Sequence, residues 1–207
     1  MKTCAILLTL MLAGCAAAPQ PAWRQDAQSA LAGYTDAWLA GDSNAARSEF
    51  AHARAASTGT GDPAAVAQIE LVRCAVQTAS LDADDCAGFI ALAPDATPAQ
   101  RAYADYLAGR WQGLDAALLP EQHRGVVKSG ALGAINDPLA RLVAAGAMLR
   151  AGRLTPDGIA VATATASDQG WRRPLLAWLG VAIQRAQALG DTAEVARLQR
   201  RVALAQP

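Results

Sequence analysis

Hydrophobic and polar positions recur with a helical period along most of this 207-residue chain. One stripe has apolar residues three, four and ten positions after the first: Leu139, Leu142, Val143 and Leu149. A second stripe repeats the spacing more regularly: Leu175, Trp178, Leu179, Ala182, Ile183 and Ala186. This spacing puts the apolar side chains on one face of an α-helix. The pattern therefore predicts an all-α protein.

Local signals mark where the helices begin and end. An acceptor side chain precedes proline at four places: Asp62-Pro63, Thr97-Pro98, Asp137-Pro138 and Thr155-Pro156. Such a side chain caps a free backbone N–H, and proline fits the first helical position. Four segments end in a glycine, which accepts the left-handed conformation after a helix: Gly41, Gly109, Gly152 and Gly190. These signals predict helices near 25–40, 43–57, 63–79, 83–92, 98–108, 112–119, 121–130, 138–151, 156–166, 171–189 and 192–205.

Glycines disfavour helix in two of the segments that are predicted to be helical. Gly125, Gly130 and Gly133 disfavour helix, so the segment between 112 and 130 also fits a loop. Gly146 lies on the apolar face of the helix predicted near 138–151, at a cost of about 1 kcal/mol relative to alanine. A glycine there would also let a neighbouring helix approach closely.

The spacing of the glycines that end the helices suggests a repeated two-helix unit. Successive glycines lie 68, 43 and 38 residues apart, and helical repeats are typically about 34–47 residues long. Around the first, Gly41-Asp42 is followed by Ala46, Phe50 and Ala53, which resembles the turn and second helix of a tetratricopeptide repeat. The resemblance implies a right-handed superhelix of antiparallel helical hairpins, an α-solenoid. An irregular helical bundle is the alternative.

The amino terminus carries the signals of an exported protein. Lys2 precedes the apolar run Ala5 to Leu12, which is too short to span a bilayer but has the length of a signal-peptide core. The run ends in Leu12-Ala13-Gly14-Cys15, which resembles the lipobox of bacterial lipoproteins. The resemblance implies cleavage before Cys15 and a lipid anchor on that cysteine. Since Ala16 and not aspartate follows, it further implies the periplasmic face of the outer membrane.

This interpretation divides the chain into three parts. Residues 1–14 are the expected lipoprotein signal peptide, residues 15–24 a lipidated tether, and residues 25–207 a single helical repeat domain. Stable anchoring needs more than one acyl chain, because each buried methylene contributes only about 0.8 kcal/mol.

Cys74 and Cys86 are an even pair in an oxidising compartment, which predicts a disulfide. Cys74 lies six residues before Ser80 and Cys86 six residues after it, so an antiparallel hairpin turning at Ser80 would place both at the same height. Two buried free thiols are the alternative.

Catalytic and metal-binding patterns are sparse. The two histidines, His52 and His123, have no partner at metal-ligand spacing. The acidic run Asp82, Asp84 and Asp85 fits helix capping better than a calcium loop, which needs further ligands. With a formal net charge of zero, the chain lacks the basic field of a nucleic-acid-binding protein. We therefore expect no metal, no cofactor and no nucleic-acid partner.

These observations favour a binding protein over an enzyme. The leading hypothesis is a lipoprotein scaffold or assembly factor that binds other envelope proteins on its concave surface. The alternative is a peptidoglycan hydrolase, which could use one of four glutamates as its acid, or an activator of such an enzyme. A coat lipoprotein with only a structural role is a third possibility.

Overall fold

The computed structural model describes residues 20–82 and 84–206, and these residues form an all-α fold without β-strands. The α-helices are α1 (Ala22–Ala40), α2 (Ser43–Thr58), α3 (Pro63–Ala79), α4 (Ala87–Ile90), α5 (Pro98–Leu107), α6 (Glu121–Arg124), α7 (Val126–Ser129), α8 (Pro138–Arg150), α9 (Pro156–Asp168), α10 (Arg172–Ala188) and α11 (Thr192–Ala205). Short 3₁₀-helices cover Ala93–Asp95, Ala116–Leu118 and Leu132–Ala134. The prediction of an all-α protein is confirmed.

The four predicted caps all bind the backbone of the helix they begin. The N–H of Ala64 donates to Asp62 at 2.9 Å, Gln100 to Thr97 at 3.2 Å, Ala140 to Asp137 at 2.6 Å and Gly158 to Thr155 at 3.1 Å. The Thr97 N–H donates in turn to the Gln100 side chain, which completes a capping box. At the helix ends, φ is positive at each predicted glycine: Gly41, Gly109, Gly152 and Gly190. Helix boundaries therefore follow from local sequence.

The helix α3 is the centre of the fold. It contacts α1, α2, α5 and α8, and most of its residues are buried, which is the pattern of a helix enclosed on several sides. The largest cluster of buried side chains surrounds it and includes residues of α5 and α8. Trp178 of α10 enters this cluster, and its indole N–H donates to the carbonyl of Ala79 at 3.1 Å. The core thus joins the middle of the chain to its carboxyl-terminal helices.

Helical hairpins lie at both ends of the part of the chain that the structure describes. Gly41-Asp42 joins α1 to α2, and Gly190-Asp191 joins α10 to α11, with each pair packed together. The α10 helix also contacts α1, because Arg173 donates to the carbonyl of Trp38 at 2.7 Å. In a simple solenoid each repeat contacts only its neighbours. This contact therefore connects helices that such a solenoid would keep apart.

Four of the predicted helices differ in the structure. The helix expected over 83–92 shrinks to α4, since Cys86 adopts a left-handed φ of 54° and its N–H is bound by Asp84 at 3.0 Å. The helices expected near 112–119 and 121–130 are replaced by a 3₁₀-helix and the short α6 and α7. The α1 helix begins at Ala22, so the last three residues of the predicted tether are helical.

Candidate functional site

A groove opens on the surface where α9, α10 and α11 meet. Both α9 and α11 pack against α10, and the groove lies in the angle between them. Thr155 caps the start of α9, and Asp191 caps the start of α11 by accepting from the Glu194 N–H at 2.9 Å. Local capping therefore fixes the two helices that form the walls.

Half of the residues that line this groove are apolar, and the other half are polar or charged, among them Thr163 and Ser167. Its volume is about 420 Å³, within the range of ligand-binding clefts. Small and aliphatic side chains line it: Pro156, Ile159, Ala160, Ala164, Ala182, Ala186, Leu189 and Leu198. Leu189 is 65% exposed although it is a large apolar residue next to the turn at Gly190. An exposed leucine at the edge of a groove offers an apolar contact to a binding partner.

Charged residues form the rim, and part of their charge is already used within the protein. Glu194 accepts two hydrogen bonds from Arg197, at 2.6 and 2.5 Å, and this bonding lowers the pKa of the Glu194 carboxyl. The Asp191 carboxylate is the N-cap of α11 and accepts a hydrogen bond from its backbone. Within the described part of the chain, Arg185 and Arg201 line the groove without an ion pair. Asp168 is the remaining carboxylate of the lining.

The predicted site residues lie elsewhere. Cys15, the predicted lipidation site, falls outside the described residues. Cys74 and Cys86 form a disulfide with their Cα atoms 5.4 Å apart, so the predicted pairing is confirmed. The reasoning from a symmetric hairpin is wrong, because Cys86 precedes α4 and lies outside any long helix. The bridge ties the loop after α3 back onto α3 and takes no part in the groove.

The two histidines have different surroundings. His52 is exposed on α2, as expected for a solvated side chain. His123 is buried, stacks on Tyr103 and lies 3.3 Å from the hydroxyl of Tyr106 through Nδ1. Burial lowers the His123 pKa to about 4, and burial also raises the pKa values of Tyr103 and Tyr106 above their ordinary range. This cluster is a packed group of aromatic side chains in which His123 and Tyr106 are buried and Tyr103 is partly buried.

Acidic residues in the middle of the chain are bound by arginines. Glu70 is buried on α3 and accepts from Arg54 at 2.9 Å and from Arg73 at 3.1 Å. Gly88 lies directly against its carboxylate, where a Cβ would overlap the oxygens. Asp84 pairs with Arg73 and also accepts from the Cys86 N–H at 3.0 Å, and Asp85 pairs with Arg150, so ion pairs account for two of the three residues of the acidic run. Among the described residues, no cluster of His, Cys, Asp and Glu side chains could hold a metal ion.

Comparison with protein-family models, with curated proteins and with solved structures returned no significant match. Among the residues described, no helix is both long enough and apolar enough to cross a bilayer. The groove is therefore the candidate functional site of this chain.

The sequence does not indicate the groove. Its lining comes from three helices, and the periodic stripes show only which face of each helix is apolar. Arg197 and Arg201 do lie four residues apart and share a face of α11. That spacing is common on solvated helices, so it does not by itself indicate a site.

Proposed function

We propose that this protein is a lipid-anchored envelope lipoprotein that binds another envelope protein in the groove between α9 and α11, and acts as a scaffold or assembly factor without catalysis of its own. The observation that carries the proposal is the groove itself. It combines eight apolar lining residues, among them the exposed Leu189, with two arginines that form no ion pair to the residues that the structure describes. Binding sites for proteins typically surround apolar anchors with polar rims, and arginine is enriched among their strongest contacts.

The anchor proposed for this protein is lipid on Cys15. Its support is the sequence Leu12-Ala13-Gly14-Cys15 at the end of a short apolar run. Six residues separate Cys15 from the start of α1, which span at most about 22 Å when fully extended. A protein anchored in this way would remain close to the periplasmic face of the outer membrane, where its partners would be envelope proteins.

The proposed architecture is an array of helical hairpins, with α1–α2, α8–α9 and α10–α11 as its units. Glycine turns within each pair support the repetition. The irregular segment between α4 and α7 and the contact of α10 with α1 interrupt this repetition and support the alternative, an irregular bundle. For the function, what matters is that the last three helices leave their shared groove open.

Purification of the intact protein from membranes of its own host tests this proposal. We expect a partner to co-purify in constant proportion with the wild type, and Ala164→Arg to release it by filling the groove. Arginine and alanine both favour helix, so the fold should survive. Ala203→Arg is the matched control, since Ala203 is equally exposed on α11 but does not line the groove.

Two results would contradict the proposal. Retention of the partner by Ala164→Arg would place binding outside the groove. Cleavage of peptidoglycan by the purified protein, with no partner required, would support the hydrolase instead.

A further inference from the structure

Trp23 differs from the other four tryptophans of this chain in its packing. Trp178 is buried in the core, and the other three pack against clusters of buried side chains: Trp38, Trp111 and Trp171. Within the described part of the chain, Trp23 packs against none of these clusters, although it lies in the first turn of α1. The residue is partly exposed, with the guanidinium of Arg24 5.3 Å from its ring centroid. A tryptophan outside the core is therefore available to an external surface.

The loops at this end of the molecule carry few charges. The start of α1 and the end of α2 share one buried cluster, so the loop that follows α2 lies beside Trp23. Asp62 is the one charged residue of that loop, and its carboxylate caps α3. The start of α5 lies here too, because Gln100 donates to a carbonyl in the first turn of α3 at 2.9 Å, and the loop before α5 carries only Asp95. Such a surface can approach lipid headgroups without strong electrostatic repulsion.

The lipid proposed for Cys15 would bring this end of the molecule to a membrane. The six residues between Cys15 and α1 keep the start of the helix within about 22 Å of the bilayer. Trp23 and Arg24 are the first aromatic and the first basic residue after Cys15. Tryptophan is favoured at the membrane–water interface, where its ring and its polar N–H both find suitable surroundings, and arginine is attracted to anionic lipids. The residues nearest to the anchor along the chain are thus of the kinds that bind a lipid surface.

We propose that Trp23 inserts into the headgroup layer of the membrane, with Arg24 at the lipid phosphates, so that the start of α1 and the lipid anchor bind the same lipid surface. This inference rests on the proposed function, specifically on lipid at Cys15, and adds an orientation to it. Trp38 lies 15 residues after Trp23 in α1, which is up to about 22 Å farther from the bilayer. The α10 helix, on which α9 and α11 pack, is bound there through Arg173. It therefore joins α1 at the end that faces away from the membrane.

Fluorescence quenching by brominated phospholipid tests this proposal. The full-length protein, purified from membranes and shown by intact mass to carry lipid, would be reconstituted into vesicles of phosphatidylethanolamine, phosphatidylglycerol and a phosphatidylcholine brominated near the headgroup end of its acyl chains. Bromine quenches an indole only at close range, so tryptophans packed against the core should not respond. We expect a partial loss of tryptophan emission in the wild type, relative to vesicles without bromine. We expect no loss in Trp23→Phe.

Trp171→Phe is the matched control, because Trp171 is also partly exposed but packs against the core. Its emission should be quenched by the same amount as that of the wild type. Equal quenching of Trp23→Phe and wild type, or no quenching of the lipidated wild type, would overturn the inference and leave the anchor and the groove standing. A wild type whose mass shows no lipid would refute the anchor itself, and the inference with it.

Discussion

Gly146 of α8 packs directly against the backbone carbonyl of Thr78 in α3, so closely that a Cβ on Gly146 would overlap the carbonyl oxygen. The two helices meet at the centre of the core, where α3 and α8 share their buried faces. A glycine inside a helix is costly by itself. Here that cost is offset by the close approach of the two helices.

We predict that Gly146→Ala destabilises the protein by about 1–3 kcal/mol, the usual range for overpacking a core. The matched control is Gly180→Ala, another glycine inside a helix, whose Cβ would meet no atom within 4 Å. Alanine there should stabilise by up to about 1 kcal/mol. Urea unfolding of the three proteins measures both changes. Equal effects of the two substitutions would show that α3 and α8 are not held this closely.

The disulfide between Cys74 and Cys86 joins residues 12 apart in sequence and fixes the loop that precedes α4. In the chain-entropy model a bridge over such a loop stabilises by roughly 3 kcal/mol. Reductant should therefore lower the free energy of unfolding of the wild type. The double variant Cys74→Ser/Cys86→Ser should have low stability with or without reductant. Alkylation of both cysteines in unreduced, denatured protein would show that the bridge is not formed.

His123 makes stability depend on pH. Its pKa is about 4 in the folded protein, against about 6.5 in an unfolded chain, because burial disfavours the charged imidazole. The stabilisation that neutral His123 contributes to the folded state is therefore complete above pH 6.5 and is lost as the pH falls from there toward 4. We predict a loss of about 2 kcal/mol between pH 7 and pH 5 from this residue.

The measurement is urea unfolding at both pH values for wild type, His123→Gln and His52→Gln. Replacing the buried imidazole should reduce the dependence on pH, while His52→Gln, at an exposed position, should keep the wild-type dependence. An unchanged pH dependence in His123→Gln would mean that the buried imidazole does not remain neutral.

The lipid anchor stays a prediction until it is measured. Cys15→Ser should abolish incorporation of a tagged fatty acid and leave an uncleaved precursor, because the acceptor thiol is gone. Cys74→Ser/Cys86→Ser serves as a control, since it keeps Cys15 and should be labelled like the wild type. Equal labelling of wild type and Cys15→Ser would refute the lipoprotein interpretation.

Local sequence predicts the helices of this fold better than their arrangement. Caps such as Asp62 and Thr155 and ends such as Gly41 and Gly190 act within one turn, so their effect is visible in the sequence. The prediction of a helix over 83–92 is wrong because the backbone of Cys86 adopts a left-handed conformation and its N–H donates to Asp84. The pairing of the cysteines was nevertheless right, since it depended on compartment and number as well as on helix register.

The groove and the burial of charge could not be predicted in this way. Arg185 and Arg201 come together with Ile159 only when α9 and α11 pack on α10. Likewise, the spacing along α3 brings Arg73 beside Glu70, but no helical pattern shows that Arg54 of α2 also binds this carboxylate or that it is buried. These features depend on tertiary contacts, whereas periodicity describes one helix at a time.

The most direct test of the central claim is photo-cross-linking in living cells from inside the groove. A photoreactive amino acid at Ala160, which is exposed and lines the groove, would be compared with one at Ala203, which is exposed outside it. We predict one discrete adduct with an envelope protein from position 160, lost when Leu189→Ser is added, and none from position 203. The same adducts from both positions, or an adduct that persists with Leu189→Ser, would contradict a binding function for the groove.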